Sequence, residues 1–176
     1  MARISFDLNG TLLDPADRAD VLDRAVELAM AHTLAGEFRP SEELLEAAGA
    51  PLPADFAPFV DVPEGLERLH GAGHDLMVLT NSATDTAERH LTRAGLRALF
   101  CEVAGTDRVR AYKPDPRVYA LVESDWHVAA HWWDVLGAAR AGRRTVHVAR
   151  RDTLPATVHA DIEVKDLSEL NPRALR

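Results

Sequence analysis

The chain has a single cysteine, Cys101, so no internal disulfide can hold it together. Its setting, Leu99-Phe100-Cys101-Glu102-Val103, reads as a strand that buries the thiol, which gives it a packing role and no catalytic one. Long apolar runs are missing too, since none approaches the roughly 18 residues of a membrane span. The first residues enter a strand pattern directly instead of the charged-then-apolar order of a signal peptide, so a soluble, cytoplasmic protein with no membrane partner is expected. Basic charge is in deficit. Against 28 Asp and Glu stand 20 Lys and Arg, scattered along the chain, and the net charge of -8 argues against nucleic acid as a partner. Internal repeats and low-complexity tracts are also lacking. With 176 residues, 47% of them hydrophobic, the chain can bury one sizeable core and carry an appendage, but not two independent domains.

What is present is organised around Ile4-Ser5-Phe6-Asp7-Leu8-Asn9-Gly10-Thr11-Leu12-Leu13-Asp14. Ile4 and Phe6 alternate with Ser5 as in a buried strand, and Gly10 allows a sharp turn and close approach to a ligand. Asp7 falls where that strand ends. In open parallel α/β sheets ligands bind beyond the carboxyl ends of the strands, so a carboxylate there is placed to attack a bound electrophile. Taken alone, the same residue reads more simply as a turn or N-cap aspartate.

After this motif Asp17 can cap a helix over 18–34, with Val21, Leu22, Ala25, Leu28 and Ala29 on one face, and Gly36 breaks it. A shorter helix over 42–48 lies between Pro40-Ser41 and Gly49, and the proline-rich segment 51–58 reads as a linker. Residues 15–59 thus form a helical insertion with its linker, and 1–14 with 60–176 form the core. From Val62 onward helix and strand alternate: helix 63–69, strand 75–79, helix 84–94, strand 100–104, a helix containing Tyr119, Leu121 and Val122, strand 126–129, helix 134–141, strand 145–149, and a last short strand over 161–164 before a terminal helical turn. Only Ser124-Asp125 separates the Tyr119 helix from the next strand. Alternating βαβ units imply an α/β fold with a mostly parallel, Rossmann-like doubly wound sheet.

Polar stations follow the strand ends in order: Asp7 with Asn9 and Thr11, Thr80 with Asn81, Lys113, then His131 with Asp134. Strand ends of one sheet converge in space. A carboxylate nucleophile, hydroxyl and amide donors, and a lysine that neutralises developing charge suit displacement on a small anionic substrate. Each has a plainer reading by itself, as turn residue, solvated charge or N-cap. For His131, Trp132 and Trp133 the choice is between a pocket wall, with the imidazole as acid or base, and core tryptophans beside a turn histidine.

Four segments in this order resemble the haloacid dehalogenase superfamily: Phe-Asp-Leu-Asn-Gly-Thr-Leu at 6–12, Leu-Thr-Asn at 79–81, Lys-Pro-Asp-Pro-Arg-Val-Tyr at 113–119, and Trp-Asp-Val-Leu-Gly-Ala at 133–138. The resemblance spans nearly the whole chain and implies that Asp7 is the nucleophile, Thr80 and Asn81 bind the electrophile's oxygens, Lys113 orients Asp7, Asp134 holds Lys113, and Thr11 belongs to the same catalytic set. It further implies that 15–59 is a reduced helical cap. Leu8, Asn9, Tyr119, His131 and Trp133 would surround the substrate, with Arg39, or else Arg18 or Arg24, as the halide-binding arginine. The Lys113-to-Tyr119 pattern and Trp133-Asp134 look most like 2-haloacid dehalogenases.

Two departures separate the chain from the phosphatases it resembles. They carry a second aspartate where this chain has Asn9, and an amide cannot shuttle protons, a loss of about 10² to 10⁴ in rate. They also place a metal-binding aspartate where this chain has Ala130, which leaves Mg²⁺ short of hard oxygen ligands. Dehalogenation needs neither, because halide leaves as a weakly basic anion. Dehalogenases in turn resemble one another in a serine and an asparagine where this chain has Ala129 and His131. The expectation is a metal-independent hydrolase of 2-haloacid dehalogenase type with no cofactor. Its rivals are an inactive or weak relative with a binding or regulatory role, and a phosphatase using Mg²⁺. A homodimer through the apolar face of helix 18–34 is also expected.

Overall fold

The structure is a computed structural model that describes residues 1–49, 56–151 and 153–175. Six strands, β1 (Arg3–Phe6), β2 (Asp75–Thr80), β3 (Glu102–Gly105), β4 (Trp126–Ala129), β5 (Arg144–Val148) and β6 (Ile162–Val164), make one sheet in the order β3-β2-β1-β4-β5-β6. Every pairing is parallel. From β1 the chain winds out through β2 to β3, then crosses to the other side of β1 and winds out through β4 and β5 to β6. This is the expected Rossmann-like doubly wound α/β sheet, and its winding reverses between β1 and β4, where such sheets open a crevice at the strand ends. Phe6 is in register with both Val78 and Val128, so the ends of β1, β2 and β4 lie side by side.

The helices are α1 (Ala19–Leu34), α2 (Ser41–Ala48), α3 (Val62–Gly71), α4 (Thr84–Arg93), α5 (Pro116–Tyr119) and α6 (Trp132–Arg140). Alternation along the strands divides the core. Ile4, Phe6, Leu76, Val78, Trp126, Val128, Val146 and Val148 face one side and pack with Leu66 and Leu69 of α3 and Leu91 of α4. On the opposite side Met77, Leu79 and Ala104 pack with Val118, Tyr119 and Ala138. The middle strands are polar on that second side, with Ser5, His127, Thr145 and His147 all buried. Buried polar groups cost free energy unless paired, and this layer supports the site from below.

Several expectations need correction. Asp17 lies in a 3₁₀ turn over Ala16–Arg18 and does not cap α1, whose N-cap position is Arg18 with no side-chain cap. Cys101 lies before β3 and is exposed, its thiol donating to the Leu76 carbonyl at 3.2 Å. Leu121 and Val122 fall beyond the four-residue α5, because the chain turns at Ala120 to bring Val122 into the core. α6 starts at Trp132, so Asp134 is inside its first turn and not at its cap. Of the proline-rich linker, residues 51–55 lie outside the described residues; its end returns along the first motif, with Asp14 N–H donating to the Ala57 carbonyl at 2.8 Å and Phe59 N–H to Leu12 at 3.0 Å. The apolar face of α1 packs on α2 through Ala25, Ala29 and Leu44 together with Tyr112.

Candidate active site

Asp7 directly follows β1, its N–H donating to the Val128 carbonyl at 3.0 Å, so its side chain leaves the sheet at the point where the winding reverses. Both carboxylate oxygens are engaged. Oδ2 accepts from Thr11 Oγ1 at 2.8 Å, and Oδ1 accepts from Lys113 Nζ at 3.0 Å. Thr11 Oγ1 in turn accepts from Ala130 N–H at 3.0 Å, which ties the turn after β1 to the end of β4. Gly10 makes that turn with φ +83°, and a Cβ there would lie 2.8 Å from His131 Nε2. Any larger residue would be strained by backbone and crowding alike.

Lys113 is wholly buried between two carboxylates, with Nζ donating to Asp134 Oδ2 at 2.7 Å as well as to Asp7. Burial alone would push the ammonium's pKa down, but Asp134 and Asp7 outweigh it and hold the pKa above the usual lysine value. Asp134 is also wholly buried. Burial pushes its carboxyl up, yet His127 and Lys113 bring it net below the ordinary aspartate range. Tyr119 OH donates to Asp134 Oδ1 at 2.7 Å; burial first, then the Asp134 charge, raises its pKa well above the usual phenol value. Gly137 leaves room for that hydroxyl, since a Cβ would collide with it. His127 Nε2 lies 3.0 Å from Asp134 Oδ1, at ion-pair distance but off the line of a hydrogen bond. Its other nitrogen meets Ser5 Oγ at 2.8 Å. The array of Asp7, Lys113 and Asp134 sets two carboxylates against one ammonium.

Above Asp7 opens a cavity of about 60 Å³, room for about four waters. Its polar rim is Asn9, Thr80, Asn81, Ser82 and His131; its roof is Leu22 and Val26 of α1 with Leu44 and Leu45 of α2. Asn81 Oδ1 accepts from Lys113 N–H at 3.0 Å, leaving buried Nδ2 without a partner in the protein. Asn9 Nδ2 donates to Ser82 Oγ at 3.2 Å, and its buried Oδ1 has none. Unpaired buried amide atoms beside a cavity are the natural contacts of a ligand. The Trp133 indole stacks on the His131 imidazole at 5.0 Å and 8°, and both line the cavity.

Asp7, Asn9, Thr80, Asn81, His131 and Trp133 therefore meet in one cavity, with Thr11, Lys113 and Asp134 beneath it. Tyr119 is placed differently from expectation: it is buried behind Asp134 and supports the array instead of facing a substrate. The Leu8 side chain belongs to the core, and only its backbone organises the turn, accepting from Leu12 and Leu13 N–H. Arg39 is absent from the cavity lining. Its guanidinium is half exposed, 3.9 Å from Glu43, because Tyr112 OH holds its carbonyl at 2.6 Å and turns this stretch outward. Arg18 and Arg24 are likewise not among the lining residues, which include no arginine or lysine among the described residues.

Residues outside the expected site set complete the site. Ser82 follows directly on the Leu-Thr-Asn motif. His127 was detectable by strand alternation, which puts it on the same side as Ser5. Arg150 gives no local signal: it reaches back from beyond β5 to grip Asp61 at 2.7 and 2.8 Å and the Thr11 carbonyl at 3.3 Å.

Mg²⁺ does not suit this donor set. Asp7 spends its oxygens on Lys113 and Thr11, Ala130 offers no carboxylate, and the Ala130 carbonyl is taken by His147 Nε2 at 3.1 Å. Among the described residues no group of three His, Cys, Asp or Glu side chains is placed to share a cation.

Comparison with known proteins places this geometry among relatives. Residues 41–131 match the family described as haloacid dehalogenase-like hydrolase. An (S)-2-haloacid dehalogenase of Pseudomonas sp. (strain YL) is 34% identical over 102 residues, 53% of this chain and 44% of that protein. A phosphoglycolate phosphatase of Caulobacter vibrioides is 34% identical over 172 residues, 80% of this chain and 70% of that protein. The chain spans about half the length of the curated dehalogenases it matches. Among solved structures, the L-2-haloacid dehalogenase of Xanthobacter autotrophicus superposes with a TM-score of 0.87 at 21% identity, covering 100% of this chain and 98% of that one, a likeness of fold.

Proposed function

We propose that this chain, which belongs to the haloacid dehalogenase-like hydrolase family, works as a metal-independent dehalogenase of small 2-halocarboxylic acids with Asp7 as the covalent nucleophile. The observation that carries the reading is the buried Asp7–Lys113–Asp134 array, built without the acid and the metal carboxylate that phosphoryl transfer asks for. Thr11 and Lys113 fix the Asp7 oxygens, so the carboxylate meets the electrophilic carbon already oriented. Attack forms a C–O bond to Asp7 and breaks the carbon–halogen bond, and halide leaves with the electron pair. The neutral ester removes the surplus negative charge beneath the cavity, leaving Lys113 and Asp134 as a balanced pair. Thr80, Asn81 Nδ2 and Ser82 offer neutral donors to the substrate carboxylate. With no cation among the described lining residues, its binding should be weak.

A buried ammonium between carboxylates is a poor device for stability alone, because desolvation offsets much of the attraction. Its completeness supports turnover over a silent binding role. The phosphatase reading draws on the breadth of the match to the phosphoglycolate phosphatase, but the donor set argues against it. The test is release of halide from (S)- and (R)-2-chloropropionate and of phosphate from phosphoglycolate, each with EDTA and with Mg²⁺. Halide release indifferent to EDTA is expected. Phosphate release that requires Mg²⁺, with no halide from either enantiomer, would replace this reading with the phosphatase one.

A further inference from the structure

We infer that His127 is a positioning residue that sets the charge beneath the nucleophile: a proton taken up by its ring, below Asp134, slows attack by Asp7, an inference that rests on the dehalogenase reading. His127 is wholly buried on the polar side of β4, and the reaction as described gives it no part.

Its ring is held at both nitrogens. Nε2 lies 3.0 Å from Asp134 Oδ1, and because a carboxylate only accepts, facing lone pairs would repel, so Nε2 carries a hydrogen. Nδ1 meets Ser5 Oγ at 2.8 Å, and the same hydroxyl reaches Ser124 Oγ at 2.9 Å and the Trp126 carbonyl at 3.2 Å. Ser5 therefore suits either state of the imidazole. Against the neutral ring it donates to the Nδ1 lone pair; against the imidazolium it accepts from Nδ1–H and turns its own hydrogen to the Trp126 carbonyl. Neither state leaves Nδ1 unpaired, the cost that would otherwise hold a buried imidazole in one form.

The proton also has a route that avoids the cavity. Nδ1 takes the Ser5 hydrogen, Ser5 takes one from Ser124, and Ser124, whose chain neighbours Glu123 and Asp125 are exposed at the start of β4, takes one from solvent. Around the ring stand Asp134 on α6, Ser5 on β1, Thr145 of β5 in register with it, and Tyr119 on α5 packed edge-on at 5.7 Å. Lys113 and Asp7 lie past Asp134, and His147 lies further along the same face of β5 on the Ala130 carbonyl.

Protonation of the ring changes what attack does to this charge. With the neutral ring, two carboxylates face one ammonium, and esterifying Asp7 leaves Lys113 and Asp134 matched. With the imidazolium, two cations match two carboxylates beforehand, and the ester strands one cation in the interior. At the effective dielectric of such sites, one surplus charge a few residues away alters a rate by roughly tenfold or more.

The experiment measures halide release from both enantiomers of 2-chloropropionate with the protein in excess, so that the first step alone is read, over roughly pH 5 to 9. The wild-type rate should rise with pH by roughly tenfold or more. His127→Gln still offers Asp134 a hydrogen but takes up no proton, so its rate should stay level within about twofold. His127→Phe keeps neither property and should be level and slower than the glutamine variant. His131→Gln removes the histidine of the cavity wall and should keep the rise. A rise that survives His127→Gln, or that His131→Gln abolishes, overturns the inference. Circular dichroism checks the folds; should both His127 variants unfold, the ¹⁵N shifts of the His127 ring in the wild type decide, since a ring that titrates with the rate supports the inference and one that holds a single state overturns it. A wild-type rate that is measurable but level overturns the inference alone, whereas no halide from either enantiomer at any pH ends the dehalogenase reading and the inference with it.

Discussion

Beneath Asp7, the side chains of Thr11, Lys113, Asp134 and Tyr119 are knit by bonds of 2.7 to 3.0 Å, and all four are buried. Above it, α1 and α2 present Leu22, Val26, Leu44 and Leu45, held by apolar packing and joined to the rest through Tyr112 stacked on Phe38 at 5.3 Å. The floor is specified by charge and the roof by shape. Charge pairs in a dry interior depend steeply on each partner, whereas apolar contact is non-directional and tolerates exchange. Chemistry should therefore fail by single substitutions below the cavity and drift by small steps above it.

The largest break in this contrast is at the nucleophile. Asp7→Asn keeps shape and removes the attacking carboxylate, so steady-state halide release should fall roughly 10⁴-fold or more with the circular dichroism spectrum unchanged. Retention of most turnover would exclude a covalent mechanism on Asp7.

Next comes the cation that the two carboxylates share. Lys113→Met fills the volume but strands Asp7 and Asp134 in the interior, and breaking a buried pair from one side costs roughly 3 to 5 kcal/mol. Urea unfolding should register that loss. A change under about 1 kcal/mol would mean that water reaches the array and that the floor is no drier than the roof.

The same network gives stability a pH dependence with a definite sign. Asp134 has a folded pKa below its unfolded value, so its contribution is complete above the ordinary aspartate pKa near 3.9 and is lost as pH falls toward the folded value. Asp61, lowered by Arg150 and the Leu167 N–H against the opposing effect of burial, adds to the same acid limb. Lys113 works the other way: its raised pKa contributes fully below about 10.4 and fades as pH climbs through the folded value. Urea midpoints should be level between these limits and decline at both ends. Asp134→Asn should lower the plateau and flatten the acid limb by up to about 1.4 kcal/mol per pH unit, the contribution of one proton. An acid limb identical to wild type would show that Asp134 does not sense its partners as described.

How far this contrast was legible in the sequence differs between its two halves. The floor was largely readable, because Asp7, Lys113 and Asp134 stand in local patterns whose strand and helix periods place them at one edge of the sheet. The depth of Asp134 and the retreat of Tyr119 behind it were not, since both depend on where α5 ends and α6 begins, and a boundary displaced by two residues turns a cap into a buried anchor. Arg150 and Asp61 meet across 89 residues, and nothing local announces either. The roof was legible as two helices but not in what it presents, because Arg39 is directed by Tyr112, a residue 73 positions away.

The smallest expected effect therefore belongs to Arg39. A guanidinium at the mouth would draw in an anionic substrate and stabilise departing halide, and its loss would lower kcat/KM by tenfold or more. Here the side chain points to Glu43 and solvent, while the backbone carbonyl that Tyr112 holds survives truncation. Arg39→Ala should leave kcat and KM for 2-chloropropionate within about twofold and stability within about 0.5 kcal/mol, the range of an exposed substitution. Tyr112→Phe is the sharper probe of the roof, because it removes the hydroxyl that sets this geometry and should cost about 1 kcal/mol. If Arg39→Ala cuts kcat/KM tenfold, the roof closes on substrate with its arginine turned inward. The opposition of a charged floor and a mainly apolar roof would then hold only for the empty cavity.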